Sequence, residues 1–299
     1  MKSLPAPRVT VVVLSYNRPR LLEHALRSIL TQTISGMEVI VVDNRSASSE
    51  EICHLVATFQ NVRLVANRGN LGFTGGMNRG LGEARGEYVY LTEDDVELAP
   101  DCLAHLIEYL DAHHEVALAG PVMWNRRAGT VRCAGGEFDL GAVYRMRIVG
   151  AGAAEAPQKR PFPTMYLPGA AIGARTSQLR DLGGFRDDFF MYGEDVELCA
   201  RALKRGRRLS IVPAAKVFHH EPPHHADSPV VAYHKFKNLG ALYLLHAPLR
   251  VLPMWALRYA GIAGIRQLLG DRSALVPWVK AWIWLTVQAP GLLVQRGRT

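Results

Sequence analysis

Three clusters of polar residues in this chain each follow directly on an apolar, β-branched run. Val9–Ser15 leads into Ser15-Tyr16-Asn17-Arg18, Met37–Asp43 into Asp43-Asn44, and Tyr88–Thr92 into Glu93-Asp94-Asp95. Three adjacent carboxylates repel one another, so something positive must offset them, and a divalent cation is the simplest candidate. Mg2+ or Mn2+ held by one or two carboxylates, with substrate phosphates completing the shell, is the usual arrangement. Taken singly, Asp43 reads as a turn or helix-cap residue, and the acidic triplet as a solvated turn. Their recurrence at the carboxyl ends of three runs is what points to a ligand, because ligands sit at that edge of an open parallel sheet.

Two further stretches carry chemistry. Asn70-Leu71-Gly72-Phe73-Thr74-Gly75-Gly76-Met77-Asn78 is a glycine-rich turn entering a helix, where backbone approaches a ligand closely and the helix start favours anions. It lacks GxGxxG spacing after the first run, which argues against a dinucleotide site. Phe189-Phe190-Met191-Tyr192-Gly193-Glu194-Asp195 places two carboxylates after an aromatic cluster at a helix start. One reading is a helix cap, with Asp195 and Glu197 suiting the macrodipole. The other is a general base in an aromatic-walled pocket. His219 and His220 add imidazoles that suit a transition metal such as Mn2+. His224 and His225 read as surface residues of a Pro-rich loop.

The elements that must position these residues alternate. Strands are expected at Val9–Ser15, Met37–Asp43, Val62–Ala66 and Tyr88–Thr92. Helices are expected from Pro19, from a Ser48 cap to about Phe59, over Gly75–Ala84, and over Asp101–Ala112. That alternation means βαβ units and a parallel sheet. Gly135–Pro163 reads as a loop or short hairpin. Regularity returns at Gly169–Arg175 and Leu209–Val212 as strands, and at Ser177–Leu182 and Asp195–Arg205 as helices.

The 299 residues are 48% hydrophobic, enough for a large core. Between Pro229 and Thr299 stand nine basic residues (Lys235, Lys237, Arg250, Arg258, Arg266, Arg272, Lys280, Arg296, Arg298) and one acid, Asp271. That excess equals the whole formal charge of +8. Four of the five tryptophans lie there too: Trp255, Trp278, Trp282 and Trp284. Such a composition suits a helical segment at a lipid interface, the other reading being a dimer interface or a cap on the core. The basic residues are diluted among apolar ones, which disfavours a nucleic-acid partner. The four cysteines form no CxxC pair, and Met1–Arg8 has no apolar signal core. Together these fit reduced thiols and a cytoplasmic protein, peripheral at the inner face of the cell membrane. Ser273–Val294 comes nearest to a membrane span but is interrupted by Lys280, Gln288 and two prolines.

The segments VVVLSYNRP, VVDNRS, NLGFTGGMNRG, YVYLTEDDVEL and PGAAIGARTSQLRDLGGFRDDFFMYGEDVELCARALKRG followed by VPAAKVFHH resemble glycosyltransferase family 2, in particular its bacterial rhamnosyl- and galactofuranosyl-type members. The resemblance spans roughly Val9 to His220. It implies an α/β GT-A fold, a Rossmann-like and mostly parallel sheet flanked by helices. Residues 1–228 would form the nucleotide-sugar-binding catalytic domain and 229–299 a helical tail. By the same resemblance, Tyr16 and Asp43 meet the nucleobase and ribose. Ser15, Arg18, Asn70, Gly72, Asn78 and Asp94 line the donor. Glu93 and Asp95 are the outer carboxylates of a metal motif, with Asp95 holding Mn2+ or Mg2+ on the diphosphate and His219 completing the shell. Asp195 is the catalytic base, with Glu194 beside it. Glu93 departs from the family's usual Asp or Asn. The implied reaction is inverting transfer from a UDP- or dTDP-linked sugar to a hydroxyl of a glycan or lipid-linked glycan, with a homodimer possible. A sugar nucleotidyltransferase would carry a glycine-rich Thr-Arg loop where SYNRP stands. A non-catalytic nucleotide-sugar or lipid-surface binding protein is the alternative of a different class.

Overall fold

A computed structural model describes residues 6–141, 144–220, 228–259 and 275–296. His224, His225, Arg266, Asp271, Arg272 and Arg298 lie outside them. The centre is a 10-stranded sheet with the order β10-β12-β6-β11-β4-β1-β2-β3, with β5 and β7 added on β12 and β6. β1 (Val9–Ser15), β2 (Met37–Asp43), β3 (Val62–Ala66) and β4 (Tyr88–Glu93) form a parallel block, as their unbroken apolar runs predict. Every residue of β1 is buried, because helices cover both faces. Then β11 (Ala171–Arg175) runs antiparallel between β4 and β6 (Val116–Asn125), and β12 (Arg208–His219) runs parallel to β6.

Helix α1 (Pro19–Leu30) opens on a proline, whose missing N–H costs nothing there, and buries Leu22, Ala25, Leu26 and Ile29. Helix α2 spans Ser49–Ala57, but the Ser48 hydroxyl makes no capping bond, against expectation. Asp43 instead holds the turn that leads into the helix, through Ser46 N and the Ser49 hydroxyl. Helix α3 (Gly72–Glu83) begins three residues earlier than the sequence suggests. Its glycines let it lie against the sheet: a Cβ on Gly80 would fall 2.2 Å from Val12 Cγ1, and one on Gly76 2.4 Å from Leu14 Cδ1. That approach holds the start of α3 beside the strand ends. Helices α4 (Cys102–Ala112), α5 (Thr176–Leu182) and α6 (Glu194–Lys204) complete the two covering layers.

Strands β5 (Val96–Leu98), β6 and β7 (Val131–Cys133) were not legible, the first and last being only three residues long. In β6 the Gly120-Pro121 pair reads as a turn. Pro121 is tolerated because β12 bulges opposite it, between Val212 and Lys216. The same bulge lets β12 continue past Pro213 to His219, where it pairs with β5. The Gly135–Pro163 stretch contains the hairpin β8 (Gly136–Asp139) with β9 (Arg145–Ile148), and β10 (Phe162–Thr164) on the sheet edge.

After Ser228, whose hydroxyl caps Val231 N at 3.3 Å, come α7 (Pro229–His246), α8 (Leu252–Leu257) and α9 (Leu275–Gln295). They share a third apolar cluster with Leu140, Phe189 and Val196, so α7 is packed on α6 and on the loop before it. The four cysteines are free, with Cys102, Cys133 and Cys199 buried.

Candidate functional site

Parallel register brings the polar clusters to one edge: Ser15 pairs with Asp43, and Leu14 with Glu93. There Asp94 and Asp95 are buried while Tyr16 is exposed. Asp94 Oδ2 accepts hydrogen bonds from Ser15 Oγ at 2.8 Å and Tyr16 N at 3.2 Å. Arg18 spans the pair, with Nη2 2.7 Å from Asp94 Oδ1 and Nη1 2.5 Å from Asp95 Oδ2. Arg18 is thus the positive partner that the acidic triplet demanded. Burial alone would lower its pKa, but Asp94, Asp95 and Glu93 raise it. Burial pushes Asp94 up to about 6 against the pull of Arg18. Burial, reinforced by Asp95, pushes Glu93 up to about 8.

The β5–β12 pairing explains how a histidine so distant in sequence arrives here. The turn after β4 enters β5, β5 lies on the end of β12, and His220 N donates to the Asp95 carbonyl at 2.8 Å. His219 Nε2 then stands 3.6 Å from Asp95 Oδ1. Burial lowers the His219 pKa despite Asp95, so the imidazole is neutral. His220 turns away to Glu97, at 2.5 Å. Among the described residues no three His, Cys, Asp or Glu side chains converge as a metal shell. The expected trio of Glu93, Asp95 and His219 is therefore not assembled as one, and Asp95 with His219 is the pair that meets. Asp95 Oδ1 and His219 Nδ1 are buried with no hydrogen-bond partner. A buried carboxylate oxygen facing a neutral imidazole, too far apart to bond each other, suits a cation shared between them with phosphate and water completing its shell.

Asp43 is engaged locally: Oδ1 accepts from Ser46 N at 3.0 Å, and Oδ2 accepts from Ser49 Oγ. Both oxygens thus brace the turn that leads into α2. Its neighbour Asn44 ties the next loop down. The Asn44 amide nitrogen donates to Asn70 Oδ1 at 3.0 Å and to the Gly72 carbonyl at 2.9 Å, while its oxygen accepts from Leu71 N at 3.0 Å. Gly72 has φ +70° and no room for a side chain, since a Cβ would fall 2.4 Å from the Phe190 carbonyl oxygen. That carbonyl also accepts from Thr74 N at 3.2 Å, so part of the α3 start is already capped by the protein. Asn78 is drawn elsewhere. Its amide bonds Phe185 O and Asp187 Oδ1, both at 2.7 Å, and accepts from Phe185 N at 2.8 Å, stapling α3 to the loop before Asp195.

Asp195 and Glu194 lie in the first turn of α6, after Gly193 at φ +80°. Asp195 is gripped on both oxygens. Oδ2 accepts from Tyr166 Oη at 2.7 Å and Gly169 N at 3.3 Å, and Oδ1 from Val196 N at 2.8 Å. Burial raises its pKa, and these three donors hold the rise back. Glu194 Oε2 is buried without a partner, and burial followed by the Asp195 charge sets Glu194 well above the carboxylate range. Burial raises both adjacent carboxyls, and Asp195 is the one held by donors on both oxygens. Beside it opens a cavity of about 420 Å3. Tyr144, Tyr166 and Tyr192 form its aromatic wall, and Lys235, Leu239 and Leu242 of α7 close it. Neither Asp43 nor Asp95 lines this cavity. The link to the strand ends runs through Gly169, where a Cβ would meet Phe73 Cζ at 2.9 Å and Asp195 Cβ at 3.4 Å. Asp195 and Glu194 also feel the charge of Glu93.

Sequence reasoning passed over Asn44, Tyr166 and Asn238 as site builders. Asn44 stood inside a quoted motif. Tyr166 and Asn238 had no local signal, because their partners are 29 and about 47 residues away.

The mixed sheet, with its acidic turn after the fourth strand, defines a GT-A glycosyltransferase fold. Its likeness to a mannosyltransferase from Pyrobaculum calidifontis, solved with GDP-Man and Mn2+, has a TM-score of 0.59 at 22% identity, over 98% of this chain and 80% of that one. The sequence profile of glycosyl transferase family 2 matches residues 10–133, and that of glycosyl transferase family group 2 matches residues 88–289. The chain belongs to glycosyltransferase family 2. It is 31% identical over 212 residues to the pre-mycofactocin glycosyltransferase of Mycobacterium tuberculosis, covering 71% of this chain but only 42% of that relative's length. It is 28% identical over 295 residues to the N-acetylglucosaminyl-diphospho-decaprenol L-rhamnosyltransferase of the same organism, covering 89% of this chain and 93% of the relative.

Proposed function

We propose that the protein transfers a sugar from a UDP- or dTDP-linked donor to a hydroxyl of a glycan or lipid-linked glycan, inverting the anomeric carbon in one displacement. The observation that carries this reading is Asp195: a buried carboxylate fixed by three donors at the wall of an aromatic cavity, beside Glu194, whose carboxyl burial pushes well up. A positioned base of this kind contributes about 10²–10⁴-fold. The acceptor oxygen forms its bond to the anomeric carbon as its proton passes to Asp195. The bond from that carbon to the diphosphate oxygen breaks, and its electron pair leaves with the nucleoside diphosphate. Tyr16, exposed at the end of β1, is offered for the nucleobase. Asp95 and His219, with Glu93 nearby, would hold Mn2+ or Mg2+. When bound, the ion supplies positive charge for the leaving diphosphate. Arg18, paired with both, holds Asp94 and Asp95 in place.

The tail supports a membrane-surface role. Val276, Val279, Ile283, Val287 and Val294 form an exposed apolar stripe at helical spacing on α9. Arg250 and Arg258 earlier in the tail are exposed as well, and Asp271 is the only acid in the sequence after Ser228. Apolar stripe with basic charge suits an anionic lipid interface. Among the described residues no helix is long and apolar enough to cross a membrane.

The test is turnover of Asp195→Asn with a panel of nucleotide sugars. kcat should fall at least about 10²-fold with donor KM unchanged, and chelator should abolish wild-type transfer until Mn2+ or Mg2+ is restored. Near-normal turnover of the variant would remove Asp195 from the role. Full activity in chelator would remove the metal.

A further inference from the structure

Phe190 joins the loop before α6 to the glycine-rich turn at the strand ends. Its carbonyl accepts from Thr74 N at 3.2 Å and stands 2.4 Å from where a Cβ on Gly72 would fall. Asn44 holds residues 70–72 of that turn from the end of β2. The Phe190 carbonyl holds the far end of the turn from the other side. Asn78 ties α3 to Phe185 and Asp187 one turn further along. The Phe190 backbone does not take its form by preference. At φ 65° and ψ −60°, with Met191 N donating to the Phe189 carbonyl at 2.8 Å, it is the centre of a γ-turn of the rare, strained kind. A conformation of that cost persists only where its surroundings fix it. Helix α7 does so in two ways. Asn238 bonds the carbonyls of Phe189, Met191 and Tyr192, and leaves that of Phe190 to Thr74. His234 stacks on the Phe190 ring, with centroids 4.8 Å apart and planes at 18°. Burial pushes the His234 pKa down to about 4, so the ring stacks as a neutral imidazole.

We propose that His234 is a positioning residue for the donor: its ring holds Phe190, and the Phe190 carbonyl holds the glycine-rich turn in the form that receives the nucleotide. This rests on the reading of the strand ends as the donor site. It adds to that site a residue from a helix outside the sheet, one that does not line the cavity beside Asp195. Asn238 acts on the carbonyls that lead to Asp195, and His234 acts through Phe190 on the donor turn, so one helix serves both sides of the reaction.

Two quantities are measured on the full chain: exchange of the Thr74 amide by NMR without nucleotide, and Kd for UDP and dTDP with Mn2+ by calorimetry. His234→Ala should speed Thr74 exchange and weaken the tighter-bound nucleotide about three- to tenfold, the worth of one aromatic pair. His234→Phe keeps a ring on Phe190 and should restore both. Tyr259→Phe, which removes a 2.8 Å bond to the Phe236 carbonyl of α7, should lower Tm and change neither. Unchanged Thr74 exchange in His234→Ala overturns the proposal. So does a His234→Phe variant as weak as His234→Ala, because the ring contact is then not the cause. A Tyr259→Phe variant that weakens the nucleotide as much also overturns it, because the effect is then one of helix stability. Faster exchange with unchanged affinity, or a wild type that binds neither nucleotide, overturns it as well. In those two cases the fault lies with the donor reading of the turn, and the contact between His234 and Phe190 stands.

Discussion

At the scale of single residues, the site turns on which carboxyl is ionised. Glu93, Asp94, Glu194 and Asp195 are all pushed upward, burial being the first cause in each. Asp195 differs in having donors on both oxygens, and Tyr166 Oη at 2.7 Å is the shortest of them. Hydrogen bonds to the charged form lower a carboxyl pKa, so removing this one raises it. As the proposed base, Asp195 works only when deprotonated. Tyr166→Phe should therefore shift the acid limb of the kcat profile to higher pH and lower kcat about tenfold at pH 7. An acid limb at the wild-type position would show that Tyr166 only fills space. The sequence made Asp195 legible through its aromatic neighbours and adjacent Glu194. It concealed Tyr166, whose partnership depends on a fold that joins residues 29 apart.

At the scale of elements, the parallel block was readable because buried strands are continuous apolar runs, and β1, β2 and β3 fall where those runs lie. The edge that holds Asp43 and Glu93 followed from them. What was not readable came from pairing. β5 is too short to signal itself, and β12 passes a proline by bulging, yet their union sets His219 against Asp95. The loop before α6 is the second such case. Phe190, Tyr192 and Gly193 all have positive φ, a costly run for two bulky residues. Asn238 of α7 holds it there, its amide nitrogen facing the carbonyls of Phe189, Met191 and Tyr192 at 2.9, 2.8 and 2.7 Å. Lys237 adds a bond to the Asp188 carbonyl. The helix that composition assigns to a tail thus positions the loop leading into Asp195. Asn238→Ala should lower kcat about 10²-fold with donor KM near the wild-type value, a loss of alignment rather than of binding. Unchanged kcat would separate α7 from the chemistry.

At the scale of the whole molecule, α9 buries Pro277, Ala281, Leu285 and Leu292 and exposes the valine and isoleucine stripe on its other side. The stripe is predicted to meet lipid. Ile283 and Val287 are 58% and 67% exposed, so a double Ile283→Asp, Val287→Asp variant leaves the core untouched. Wild type should co-sediment with vesicles rich in phosphatidylglycerol, more weakly as salt rises, and the double variant should stay in the supernatant. A double variant that pellets like wild type would contradict lipid docking through this face. Helix α7 packs on α9 and walls the cavity, so it would join the proposed lipid-docking face to the proposed catalytic site.

The claim on which all scales depend is a single displacement assisted by one carboxylate. Proton NMR of the first product formed from a donor of known anomeric configuration reads it directly. The new glycosidic bond is predicted to have the opposite anomeric configuration from the donor, seen in its H1–H2 or C1–H1 coupling. A product that retains the donor configuration would require a second displacement and would contradict the role given to Asp195.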